Sequence, residues 1–481
     1  MQQQIEPYLA LLQRELATSL RPKDDDNAKR ISIYLSRMLT QMLLRGKTLP
    51  ALQREAIAEL DAILDELNGR LRAIASGMVI TADLMLYTRI TPDFYSLQSV
   101  LQSAVHMLLT NTDDSGKILL KKILAILCRL EEGLHQATLS HNAGLSGEQV
   151  DIAPPLTELQ WRILQEYFRS TFAEPELEIK SLNPITGGGS KKTLIVRLRY
   201  NRTLPDVIVV RADQATGVVE STVSDEYRLL ETLYEEGLPV PRPYALESDG
   251  SIIGGAFIVV GFIEGSNIGD QADVFEPSRN YAAGLARAMG KLHRIPPEHF
   301  GERIPGACLS TLEQVRGEID TFEMMWRNSR HPSVVLELAY AWLKEHLNLA
   351  EGRRALNHCD LACHNILAKD GELTAILDWE TTLIGNPTRD LAYVYPQMIQ
   401  CMPWEGFLAE YARAGGTVPT SAEFDFYRLW TQCWRMSYVC VARSFFRSGS
   451  GTLVHAYGAQ HLEQRHGYEL NMTLNDIYRR Y

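Results

Sequence analysis

The sequence predicts an α+β chain with a small β-rich lobe and a larger helical lobe, preceded by an N-terminal α-helical bundle. Three observations carry that expectation. Apolar residues recur with helical period across 1–140, alternate in period two after a polar break at 141–156, and return to helical period from about 277. At 481 residues the chain exceeds one ordinary core, which implies two or three domains. The expected division is a helical domain at 1–140, a linker at 141–156, a small lobe with its hinge at 157–265 and a helical large lobe at 266–481. A sheet-rich lobe followed by a larger helical one is the bilobal arrangement in which a nucleotide lies in the cleft.

In the first domain Ile31, Leu35, Met38 and Met42 share one helical face, Leu97, Leu101, Ala104 and Leu108 another, and 118–134 reads as a third, strongly apolar helix. Polar or Gly/Pro breaks at 21–23, 46–50 and 112–116 separate them. The bundle carries no chemical motif and reads as a scaffold, or as a surface for forming a homo-oligomer. Beyond the linker, 194–200 alternates in period two and 207–211 follows a turn containing Asn201 and Pro205, an antiparallel hairpin. Residues 224–236 form a helix stopped by Gly237, with Pro239 and Pro241 beyond it. Strands are expected at 252–253 and 256–263, and 280–293 is the first long helix of the large lobe.

The composition, 45% hydrophobic and 22% charged, is that of a soluble globular protein. A net charge of −11 excludes a nucleic-acid binder that relies on phosphate neutralisation, although a local basic patch could still hold an anion. Seven scattered cysteines fit a reduced, cytoplasmic compartment. The pair Cys359 and Cys363, flanked by His358 and His364, leaves a metal cluster as a minor alternative. Neither a signal-peptide pattern nor an apolar run of the ~20 residues a membrane span requires is present.

The chemistry concentrates in His358-Cys359-Asp360-Leu361-Ala362-Cys363-His364-Asn365 and in Asp378-Trp379-Glu380, which follows the apolar strand Ala375-Ile376-Leu377. A carboxylate, an amide five residues on and a second carboxylate thirteen beyond that supply one base and two Mg²⁺ ligands for phosphoryl transfer. Asp360 would accept the proton of a hydroxyl attacking the γ-phosphate of ATP. Asn365 and Asp378 offer the hard oxygens that suit Mg²⁺. His358 is expected to pack under the loop and fix its backbone. Asp390, opening a helix, would cap amides or tie down the same loop.

These segments, continued by Gly385-Asn386-Pro387-Thr388-Arg389-Asp390-Leu391-Ala392-Tyr393, resemble the catalytic and metal loops of the aminoglycoside phosphotransferase family, relatives of the protein kinases. Their wording is most similar to the kinase domains associated with certain acyl-CoA dehydrogenases. The resemblance spans roughly 160–470 and implies a kinase-like bilobal fold, with ATP as co-substrate and Mg²⁺ as cofactor. It places Arg211 as the basic side chain of the third strand and Glu226 as its ion-pair partner. It also makes the strand through Val260, Gly261 and Ile263 the hinge, with backbone groups of Gly261 and Ile263 on the adenine edge and Val260 and Phe262 walling it. Gly188, Gly189 and Ser190 sit in a glycine-rich turn that allows close approach to phosphates. Two departures stand out: Cys359 and His364 occupy positions where the family commonly has Gly.

The acceptor is less defined. Trp434, Arg435 and Tyr438, on a late helix at 427–447, are candidate substrate contacts, since in this family late helices line the acceptor site. Aromatics with arginines would suit an apolar chain bearing an anionic handle, such as a hydroxyacyl-CoA, with an acyl-CoA dehydrogenase-type enzyme as pathway partner. The same helix also reads as an amphipathic core helix. An aminoglycoside or amino-alcohol kinase, and a catalytically idle nucleotide-binding scaffold, are the alternative functions.

Overall fold

The computed structural model describes residues 118–129, 156–185, 191–213, 222–269, 277–447 and 462–480, with isolated positions 59, 102, 105, 106, 109 and 132. By contact the chain divides into two compact units. One comprises Glu148–Thr311 and Gly352–Thr420; the other comprises Met1–Gly147, Leu312–Glu351 and Ser421–Tyr481.

The first unit is α+β. Its five-stranded antiparallel sheet has the order β1-β2-β3-β5-β4, from β1 (Glu178–Ile185), β2 (Lys191–Arg199), β3 (Val207–Asp213), β4 (Pro243–Glu247) and β5 (Phe257–Gly261). The expected hairpin is present: β2 and β3 pair from Lys191 with Asp213 to Arg197 with Val207. Because strand side chains alternate, β3 sends Ile208, Val210 and Ala212 into the core and leaves Arg211 on the opposite face. The helix Glu158–Thr171 starts on a Thr157–Gln160 capping box and adds Leu164 and Phe168 to the same core. Each such buried side chain contributes roughly 1.5–3 kcal/mol.

The strand expected at 252–253 is instead a turn, and β5 ends at Gly261 rather than reaching 263. Two apolar residues between Gly250 and Gly254 are too few to hold a ladder. The edge position belongs to β4, which tolerates Pro243 because a first strand residue on an edge has no N–H to contribute inward. The helix Val223–Glu235 opens on a Thr222–Asp225 capping box and stops where Gly237 takes φ +71°. It buries Leu229, Leu230 and Leu233, and also Glu226.

The remainder of this unit is built around the helix Arg279–Arg294, N-capped by Ser278. Short strands β7 (Ala355–Asn357), β8 (Ile366–Lys369), β9 (Glu372–Ile376) and β10 (Leu383–Gly385) frame the loops that carry the chemical motif. β7 pairs with β10, and β8 lies between β9 and the two-residue β6 (Ser266–Asn267). The helices Thr388–Cys401 and Trp404–Arg413 complete it.

The described part of the second unit is helical, with Thr311–Asn328, Val334–Glu345, Ser421–Arg447 and Glu463–Arg480. Residues 118–129 are helical and bury Leu119, Leu120, Ile123, Leu124 and Leu127, as the apolar run predicts. Trp326 stacks on Tyr340 at 5.7 Å, and buried Glu337 accepts from Arg327 and Gln102 and pairs with His106. The helices expected around 31–42 and 97–108 and the linker at 141–155 lie outside the described residues apart from isolated positions. No helix among the described residues is long and apolar enough to cross a membrane.

Candidate active site

The loop after β7 is fixed from below by buried side chains. His358, fully buried, donates through Nε2 to the Leu377 carbonyl at 2.9 Å and accepts at Nδ1 from the Asp360 N–H at 3.2 Å. One donor and one acceptor nitrogen describe a neutral imidazole with the proton on Nε2. Asp390, in the first turn of Thr388–Cys401, accepts from the His358 N–H at 2.8 Å and the Cys359 N–H at 2.9 Å. His293 reaches the same carboxylate at 3.4 Å and is itself held by the Tyr411 hydroxyl at 2.9 Å. Burial pushes the Asp390 carboxyl up, but the His293 contact, with the His358 backbone N–H, outweighs it and holds the group below the usual carboxylate range. His358 and Asp390 thus both bond to the backbone of the loop.

Above that base, both oxygens of Asp360 have donors. Asn365 gives its amide nitrogen to Oδ2 at 2.9 Å and to the Asp360 carbonyl at 3.0 Å, and the Tyr393 hydroxyl donates to Oδ1 at 2.5 Å. The two loops are stitched together by the Leu377 N–H on the Asn365 carbonyl at 2.8 Å. Asp378 then turns in the left-handed region, φ 65° and ψ 65°. Its Oδ1 meets Arg211 Nη2 at 3.0 Å, and Arg211 Nε meets Glu226 at 3.3 Å. Arg211 thus joins β3, the helix Val223–Glu235 and the second acidic loop through one guanidinium. Burial opposes its charge, but Glu226 and Asp378 reinforce it, whereas burial pushes the Glu226 carboxyl up despite Arg211. Glu226 Oε2 is buried without a hydrogen-bond partner.

The donor set fits Mg²⁺ rather than a soft metal. Asn365 spends its nitrogen on Asp360, which leaves its oxygen as the end free for a hard cation, and Asp378 adds an anionic oxygen. Among the described residues no three His, Cys, Asp or Glu side chains converge as a metal cage.

The sequence pattern known as the phosphotransferase enzyme family (APH) matches residues 182–430, just over half of the chain. The chain belongs to the phosphotransferase enzyme family. Acyl-CoA dehydrogenase family member 11 of Gallus gallus is 30% identical over 181 residues, 36% of this chain and 22% of that protein. Acyl-CoA dehydrogenase family member 10 of Mus musculus is 24% identical over 243 residues, 48% of this chain and 21% of that protein. The aligned part thus spans about a fifth of the length of those relatives. Among solved structures, apo macrolide 2′-phosphotransferase MphH of Brachybacterium faecium has 19% identity and a TM-score of 0.46, covering 61% of this chain and 97% of that one.

Within this phosphotransferase, Asp360, Asn365, Asp378, Arg211, Glu226, His358 and Asp390 are brought together in one compact unit. The phosphate-loop residues Gly188, Gly189 and Ser190 lie outside the described residues. The adenine contact expected of Gly261 needs correcting for its N–H, which is spent inside the sheet on the Arg242 carbonyl at 2.8 Å. Val260 is buried in β5, and Ile263 lies past the strand's end. Trp434, Arg435 and Tyr438 belong to the other unit: Trp434 packs on Phe322 and Tyr438, and buried Arg435 faces Glu469 at 3.8 Å. Tyr393, whose hydroxyl reaches Asp360, is not among the residues the sequence singles out for the site. Its signal was available, since a residue three beyond Asp390 on a helix shares its face.

Proposed function

We propose that this phosphotransferase moves the γ-phosphoryl group of ATP, in the presence of Mg²⁺, onto the hydroxyl of a small molecule. The observation that carries the reading is the junction of Asp360, Asn365 and Asp378 with the Arg211–Glu226 pair in one unit. Asp360 accepts the acceptor's proton as its oxygen forms the new O–P bond, and the bond from the γ-phosphorus to its bridging oxygen breaks to release ADP. Asn365 and Asp378 hold the cation, which when bound neutralises phosphate charge. Arg211, kept charged by its carboxylate partners, is the group that grips α- and β-phosphate oxygens.

A hydroxylated acyl-CoA is the favoured acceptor. The support is the naming of the curated relatives as acyl-CoA dehydrogenase family members. Phosphorylation would turn a poor hydroxyl leaving group into a good one, preparing the chain for elimination by a partner enzyme. The test is an ATP-consumption screen of the purified protein across hydroxyacyl-CoAs, aminoglycosides and amino alcohols. Asp360→Asn should lower turnover by about 100-fold or more while MgATP still binds, and Asp378→Ala should weaken MgATP binding as well. Undiminished turnover in Asp360→Asn would remove the base role.

A further inference from the structure

We infer that Tyr393 is a positioning residue for the base, holding the Asp360 carboxylate in its working orientation through a donated hydrogen bond. The inference rests on the proposed role of Asp360 and deepens it. A carboxylate on a loop rotates freely about its last torsion unless both of its oxygens are held. Asn365 takes Oδ2 from within the loop at 2.9 Å, and Tyr393 takes Oδ1 from the neighbouring helix at 2.5 Å. Two donors on opposite oxygens fix the plane of the group.

The placement comes from the same helix that anchors the loop. Asp390 and Tyr393 are three residues apart in Thr388–Cys401, so they lie on one face. Asp390 holds the loop by the N–H groups of His358 and Cys359, while Tyr393 holds the side chain that follows them. One helix therefore sets both the backbone and the carboxylate. Tyr393 is 7% exposed, so its phenol is not a loose surface group that happens to lie nearby.

The hydrogen bond also has a chemical consequence. An ionised carboxylate offers about four lone-pair positions, and two of them are used by Tyr393 and Asn365. The remaining ones stay available for the acceptor hydroxyl. Only an ionised carboxylate can take that hydroxyl's proton. Asp360 itself is part-exposed, as a group that must meet an incoming acceptor should be.

The experiment is Tyr393→Phe in the full chain, which keeps the ring and removes only the hydroxyl. ADP release from MgATP would be followed with 3-hydroxybutyryl-CoA as acceptor and with water alone as acceptor, alongside Asp360→Asn. The expected result is a fall in kcat of about 10- to 100-fold, with the dissociation constant for MgATP within about 2-fold of the parent. An unchanged kcat, or a lowered melting temperature with kcat per folded molecule unchanged, would overturn the inference. Undiminished turnover in Asp360→Asn would instead overturn the base assignment beneath it, so the two failures are told apart.

Discussion

Two backbone N–H groups of the catalytic loop, those of His358 and Cys359, end on the single carboxylate of Asp390. Removing it leaves both donors buried without partners, and each costs about 1–3 kcal/mol. Asp390→Ala should therefore lower the unfolding free energy by about 2–5 kcal/mol in urea titrations, and turnover should fall with it because Asp360 is next in the chain. The parent protein owes part of its stability to the depressed ionisation of this carboxyl. That contribution is present above the unfolded carboxyl's ordinary 3.8 and is lost as pH falls through the lower folded value. In Asp390→Ala this acid-sensitive part should be absent. The same loop shows why Gly is common at position 359 in the family: Cys359 sits at φ +67°, a left-handed conformation that a side chain resists. The departure was visible in the sequence, but its backbone reason was not.

The helix Arg279–Arg294 lies so close to Trp404–Arg413 that a Cβ on Gly290 would come within 2.3 Å of the Tyr411 carbonyl oxygen and 2.8 Å of Ala414 Cβ. Alanine is the better helix former by about 1 kcal/mol, which on an open helix would stabilise. Here the contact is with backbone, and overpacking costs typically 1–3 kcal/mol or more. Gly290→Ala should thus be net destabilising, by about 1–2 kcal/mol in urea, and should loosen the Tyr411–His293 bond that supports Asp390. A stabilised variant would show that the two helices part easily. At this scale the sequence was partly legible. Alternation revealed β2 and β3, and Gly237 marked the end of the helix Val223–Glu235, because those signals are local. β1 and β4 have no counterpart in the sequence reading; Pro184 stands near the end of the first and Pro243 opens the second, which lies at the sheet edge. Arg211 and Glu226 were found through motif position, and their 3.3 Å contact with each other, shared with Asp378, needed the fold.

At the level of the whole chain, contact groups Leu312–Glu351 and Ser421–Tyr481 with Met1–Gly147, although sequence order places them after the sheet. Helical periodicity reports which face is apolar, not which partner covers it, so this grouping could not be read from the pattern. It also separates two acid responses. In the helical unit His466 is buried, facing Glu469, with Arg435 and Arg465 nearby; burial first, then the arginines, push its pKa down to about 4 against the pull of Glu469. The unfolded imidazole takes a proton near its ordinary 6.5 and the folded one does not, so stability is complete above 6.5 and drains away as pH falls toward 4. The loss amounts to about 3 kcal/mol. Glu469, held well below the carboxylate range mainly by Arg465 and His466 against burial, adds to the loss only below 4.5; Asp425, raised by burial against Arg480 and Arg428, offsets part of it. In the sheet-bearing unit the depressed carboxyl of Asp390 acts only below 3.8. Between pH 6.5 and 4.5 the helical unit should therefore weaken first. Hydrogen exchange at pH 7 and pH 5 should show protection falling in Ser421–Arg447 and Glu463–Arg480 while β2, β3 and β5 keep theirs. His466→Leu should remove most of that difference, and an equal loss in both units at pH 5 would show that His466 does not govern it.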